Sequence, residues 1–261
     1  MLSINSSSAT VNRVQPNKAA VSGAGNKPKT GPVAPVGQPL PAGAVLSRFN
    51  VTTPDGKTVM LEEALRTSSK YVSKTTQGDL VFIAPATGST TPNSDSTRSE
   101  LRETDATGKL KNWNPYVGTH VLEGQATVRT VTSGGRVTLA QIHAVNNKNP
   151  PIKLMYRIDG KGSPLLYAEY RATKNPIPVT VNLLEKLPLG QKFSYRISVR
   201  NGNAEVVAES GGKRNVLKFV VDGTWRANPF YFKAGAYNTG TDATGTGAST
   251  VVHSGIRAYH V

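Results

Sequence analysis

YFKAGAY, residues 231–237, sits about thirty residues before the last residue of the chain and reads as a β-strand. Side chains on a strand alternate between two faces. Tyr231, Lys233, Gly235 and Tyr237 then share one face, while Phe232, Ala234 and Ala236 share the other. The second is a core face. The first carries two phenols and an ammonium, with a glycine that leaves the backbone open to close approach.

The same period of two extends outward from this segment. FSYRISV (193–199) sets Phe193, Tyr195, Ile197 and Val199 against Ser194, Arg196 and Ser198. VLKFVVDG (216–223) puts Leu217, Phe219 and Val221 on one side. THVLEGQATVRTVT (119–132), GRVTLAQIHA (135–144) and LMYRIDG (154–160) behave alike, and Gly, Pro and Asn punctuate the runs. TVMLEEALRTSS (58–69) is the one expected helix, with Leu61, Ala64 and Leu65 at helical spacing. No βαβ cycle and no solenoid repeat is present. The architecture this implies is all-β: an antiparallel β-sandwich of jelly-roll type.

The chain has 261 residues and no cysteine. That excludes disulfides, thiolate chemistry and Cys-ligated metal sites. Only four histidines occur, without close pairing, and no metal site is expected. No apolar run of about 18 residues is present to cross a membrane. Residues 1–44, rich in Ser, Asn, Ala, Gly and Pro, read as a disordered tail or linker preceding a domain over 45–261. The opening MLSINSSSATVNRVQ lacks the apolar stretch of a secretory signal. Five of the 31 basic residues precede Asp55, the first acidic residue; 26 basic against 16 acidic residues leave the rest at +10, within a total of +15. Such charge calls for a polyanionic partner. Nucleic acid is one such polyanion and a uronic-acid polysaccharide another, and charge alone does not choose between them; aromatics at 7% and no basic helix weigh against nucleic acid.

Two further segments repeat the polar-face pattern. In TRSELRET (97–104), Arg98, Glu100 and Arg102 share a side; in AQIHA (140–144), Gln141 and His143 do. Each alone is an ordinary solvated face. Together they supply what an anionic ligand lying on a sheet needs. RSELR at 98–102, QIH at 141–143 and YFKAGAYN at 231–238 resemble the three signature blocks of the polysaccharide lyase family 7 alginate lyases, in the family's order, over roughly residues 45–261. Thr239 stands where the family's third block commonly has Gln.

The resemblance implies a jelly roll with a concave groove and metal-free β-elimination on alginate, a polymer of mannuronate and guluronate. It implies no cofactor. It assigns Arg98 and Gln141 to the carboxylate of the reacting uronate, where charge builds as C5 loses its proton. An imidazole titrates near 6.5 and suits a base; a phenol titrates near 10, and a neighbouring cation favours its phenolate. His143 as base and Tyr237 as acid fit guluronate, and Tyr237 in both roles fits mannuronate. Glu100, Arg102, Tyr231, Lys233 and Asn238 are the expected substrate-binding residues. Glu100 is also expected to orient its flanking arginines, and Tyr231 is either a sugar platform or packed. His120, His253 and His260 are surface or structural, and Trp113 is core or rim. The loops 145–153 and 238–249 are expected to border the groove as lids. Ile142, in place of Val, leans the reading towards guluronate or mixed blocks. The expected enzyme is an endolytic monomer, extracellular or periplasmic. The rival readings are a non-catalytic polyuronate-binding module and a lyase for another polyuronate such as glucuronan.

Overall fold

The computed structural model describes residues 39–91, 94–175, 177–239 and 245–261. Most of the expected tail, residues 1–38, lies outside them. Strands β1 (Val45–Leu46), β2 (Arg48–Thr52) and β3 (Thr58–Met60) lead to helix α1 (Leu61–Thr67). Then come β4 (Val72–Lys74), β5 (Leu80–Pro85), β6 (Arg98–Thr104) and β7 (Thr119–Thr130). β8 (Arg136–Ala144), β9 (Ile152–Ile158), β10 (Pro164–Tyr170) and β11 (Val179–Glu185) form a meander. β12 (Lys192–Arg200), β13 (Asn203–Ser210) and β14 (Lys213–Val220) follow, and β15 (Phe230–Asn238) and β16 (Ala248–His260) come last.

Two antiparallel sheets result. The first runs β14-β13-β12-β7-β16-β5-β4, with β1 on β16; the second runs β11-β10-β9-β8-β15-β6-β2-β3. This is the antiparallel jelly-roll sandwich expected from the alternating runs. Phe193, Tyr195, Ile197 and Val199 of β12 are buried between the sheets, in one core with Leu101, Ile142, Phe232 and Ala234 of the second sheet. Alternation therefore turns the polar residues of β6, β8 and β15 to the outer face of the second sheet.

The helix is shorter than its sequence pattern. Thr58–Met60 pairs with β2 instead, Val59 opposite Val51 and Thr58 opposite Thr52. β-Branched residues suit that edge better than a first helical turn. Only Leu61–Thr67 is helical, with Ala64 buried.

Gly235 also differs from expectation. The pairing of β15 with β8 shifts register between Ala234 and Tyr237, so Gly235 and Ala236 form a bulge. Gly235 has φ +146°, and a Cβ there would stand 2.9 Å from Glu100 Cα and nearer still to the Ser99 carbonyl. What approaches this glycine is the neighbouring strand, not a ligand. From the other sheet, His253 Nε2 lies 3.3 Å from the Gly235 carbonyl and Nδ1 lies 3.1 Å from the Tyr195 hydroxyl. Neutral His253 donates to the carbonyl and accepts from the phenol. Burial pushes its pKa down to about 4, which keeps it neutral.

Candidate active site

The register of the three central strands builds the site. On β15, Tyr237 lies opposite Arg98, Gly235 opposite Glu100 and Lys233 opposite Arg102 of β6. On its other side, Lys233 lies opposite Gln141 and Tyr231 opposite His143 of β8. A cleft of about 600 Å³ opens over these strands; Arg98, Gln141, His143, Tyr231, Lys233 and Tyr237 all line it. Three segments widely separated in sequence therefore meet at one surface.

Glu100 is the hub. It is 1% exposed and accepts from Arg98 Nη1 at 3.2 Å, Gln141 Nε2 at 2.5 Å and Lys233 Nζ at 2.5 Å. Burial pushes its pKa up, but Lys233 and Arg98 pull it down further, and the net shift is below the usual carboxylate range. Two cations and one carboxylate leave one net positive charge in the cluster. Glu100 thus holds these three donors in place from beneath and does not itself line the cleft. Of the two arginines flanking it in sequence, it orients only Arg98.

Arg102 is engaged by the protein itself. Its Nη1 donates to the Glu103 and Lys111 carbonyls, each at 2.7 Å, and its Nη2 to Asn112 Oδ1. The guanidinium lies 3.6 Å from the Tyr231 ring centre, and Tyr231 stacks on His143 with centroids 5.2 Å apart. Arg102 is a prop for the Tyr231–His143 stack, with most of its donors committed to protein acceptors. Tyr231 is both packed and cleft-lining.

His143 is largely buried. Burial, reinforced by Lys233, lowers its pKa to about 4, so it stays neutral well below the value for a free imidazole. With Nδ1–H donating to the Ala144 carbonyl at 3.1 Å, the Nε2 lone pair is free to take a proton. In the other tautomer Nδ1 accepts from the Ala144 N–H at 3.0 Å, and Nε2–H is a donor. Tyr237 has the Arg98 guanidinium 3.9 Å from its ring centre, and its hydroxyl lies 2.9 Å from Ser94 Oγ.

Asn238 is set apart from the others. It follows Tyr237 on the opposite face, and its Nδ2 donates to the Ala84 and Pro85 carbonyls, each at 3.0 Å, and to Thr97 Oγ1 at 2.8 Å. It ties β15 to the end of β5 and, unlike Tyr237, does not line the cleft. Thr239 meets Thr138 through their hydroxyls at 3.1 Å.

Sequence reasoning missed Ser94, Thr91 and Lys153 at the cleft. Lys153 falls in the expected loop 145–153, yet β9 begins at Ile152 and turns Lys153 outward beside Gln141. The rest of that loop does border the cleft through Asn146, Asn147, Lys148 and Pro150. Of the other expected loop, residues 240–244 lie outside the described residues. The remaining histidines are structural. His120 and His260 meet at Nδ1 over 2.7 Å, and Glu103 accepts from His260 at 3.2 Å and from the indole of Trp113, a core residue, at 2.6 Å. Among the described residues no group of three His, Cys, Asp or Glu is placed to hold a metal.

The chain is similar to known proteins over most of its length. The profile of a protein family described as alginate lyase matches residues 45–260. An alginate lyase of Klebsiella pneumoniae is 29% identical over 255 residues, 74% of this chain and 82% of that one. Among solved structures, an alginate lyase from Pseudomonas aeruginosa is 30% identical with a TM-score of 0.71, over 82% of this chain and 98% of that chain. A family 7 alginate lyase variant solved with the product GGG is 26% identical with a TM-score of 0.68, over 83% and 95%.

Proposed function

Because the chain belongs to the family 7 alginate lyases, and is therefore a polysaccharide lyase, we propose that it cuts alginate internally by β-elimination, leaving a 4,5-unsaturated uronate at the new non-reducing end. The observation that carries the reading is the Arg98–Glu100–Gln141–Lys233 cluster beside His143 and Tyr237 in one cleft.

The C5 proton of a uronate is poorly acidic because the adjacent carboxylate is already negative. Its removal drives more charge onto that group. Arg98 and Gln141, held by Glu100 before substrate arrives, are donors aimed at that charge, and preorganised donors of this kind lower such barriers most. Arg98 uses one N–H on Glu100 and keeps others for the ligand. Elimination moves the C5–H electron pair into the C4–C5 double bond, and the C4–O bond breaks towards the leaving sugar. For guluronate the proton and the leaving oxygen lie on opposite faces, so neutral His143 takes the proton and Tyr237 protonates O4. For mannuronate they share a face, and Tyr237 serves in turn. The His143 tautomer with Nδ1–H on the Ala144 carbonyl is the one this assignment uses.

A lean towards guluronate or mixed blocks is supported by Ile142 and by relatives solved with the product GGG and the substrate GGMG. A polymeric substrate favours an enzyme working outside the cytoplasm. The test is ultraviolet absorbance over time with alginate, with and without a chelator, for the natural protein and for Tyr237→Phe. A conjugated double bond gives a rise that hydrolysis does not. The rise should survive the chelator and fall by about 10²–10⁴ in the variant. A flat trace for the natural protein, or near-normal turnover by Tyr237→Phe, overturns the reading.

A further inference from the structure

One row of outward-facing residues crosses the second sheet at right angles to its strands. Arg102 on β6 lies opposite Lys233 on β15, Lys233 opposite Gln141 on β8, Gln141 opposite Lys153 on β9, and Lys153 opposite Glu169 on β10. Neighbouring strands are spaced about 4.8 Å apart. A residue of a 1,4-linked pyranose chain advances by roughly that spacing. A polyuronate laid along the row therefore advances by about one sugar per strand.

Lys153 is the next cation in that row after the Gln141 position. Its side chain is 17% exposed and lines the cleft. Its one carboxylate partner within ion-pair distance among the described residues is Glu169, at a loose 3.9 Å. Arg171, also nearby, donates from Nη1 to the Pro150 carbonyl at 2.9 Å. A largely buried ammonium with so long a pair is incompletely compensated. A substrate carboxylate entering the cleft would complete it. One strand further on, Glu169 reverses the sign of the floor.

Resting on the polyuronate lyase reading, we propose that Lys153 Nζ binds the carboxylate of the uronate adjacent to the one held by Arg98 and Gln141, and that Glu169 ends the cationic floor on that side. Before substrate arrives, Glu169 holds Lys153. With substrate bound, Lys153 turns to the sugar carboxylate, and Glu169 repels the carboxylate that follows. Lys153 sets affinity and Glu169 sets how far the chain is gripped towards β10.

Two readouts on the full chain test this: kcat and KM from the absorbance rise on alginate, and retardation in native gels cast with alginate. Lys153→Met should raise KM about tenfold with kcat within about twofold, and should lose retardation. Lys153→Arg should retain both. Glu169→Gln should act oppositely, lowering KM and increasing retardation. Unchanged KM and retardation in Lys153→Met overturn the proposal, as does Glu169→Gln with equal or weaker binding than the natural protein. If Lys153→Met does not fold, the Glu169→Gln result decides. If the natural protein gives no absorbance rise yet the gel shifts follow this pattern, the lyase reading falls and the subsite stands.

Discussion

Gln141 Nε2 donates to Glu100 Oε1 at 2.5 Å across the width of β15, although their strands, β8 and β6, do not pair with each other. They meet because the residue opposite Glu100 on β15 is Gly235, which puts no side chain between them. A site built for an anion thus has an anion at its centre. Without Glu100, Arg98 and Lys233 would repel each other and lose their fixed positions. With it, they are held and one net positive charge remains.

Glu100→Gln should therefore cost activity without removing a group that lines the cleft. Loss of the hub should lower kcat/KM by about 10²-fold. Leaving two partly buried cations unpaired should lower unfolding free energy by about 3–5 kcal/mol. Steady-state kinetics and urea unfolding read the two effects separately. Near-normal kcat/KM would remove Glu100 from its central role.

Gly235→Ala should be among the most damaging small substitutions in the chain. The added Cβ would enter the Ser99–Glu100 backbone of β6, and φ of +146° is unfavourable for alanine. An expected loss of at least about 2 kcal/mol would appear as a lowered urea midpoint. An unchanged midpoint would mean that β15 and β6 separate easily.

Asn238→Ala discriminates a structural from a substrate-binding role. Its three Nδ2 contacts join β15 to Ala84, Pro85 and Thr97. Their loss should cost about 1–3 kcal/mol of stability and leave KM on alginate unchanged. A raised KM at normal stability would return Asn238 to the groove.

Stability should fall in mild acid. Burial holds His120, His143 and His253 each at about 4 in the folded state. In the unfolded chain they titrate near 6.5. The folded values are the lower ones, so the unfolded state binds protons first as pH drops. Stability is complete above about pH 6.5 and declines towards about pH 4, with up to three protons taken up on unfolding. The steepest slope is roughly 4 kcal/mol per pH unit. Urea unfolding at pH 7 and pH 5 measures it, and a midpoint at pH 5 equal to or above that at pH 7 would contradict the buried, neutral state of these rings.

Much of the site was legible because period-two alternation carries side-chain direction. Once 98–102, 141–143 and 231–237 are strands, Arg98, Gln141, His143 and Tyr237 must leave the core together. What alternation does not carry is the partner of each side chain. Arg102 shares its face with Arg98, yet Lys111 and Asn112, from the segment after β6, capture its guanidinium. Lys153 escaped notice because the prolines before it read as loop, while the strand begins at the residue after Pro151.

The sequence by itself determined the fold class, the core faces and which chemical groups stand on the outer sheet, because these follow from local periodicity and residue type. Tertiary structure alone decided which of those groups meet. Strand order put β15 between β6 and β8, and its registers with those two strands bring Glu100 to Gln141 and Lys233. Pairing between distant segments depends on how whole strands fit, so whether an arginine faces a ligand or a backbone carbonyl is fixed only when the sheets close.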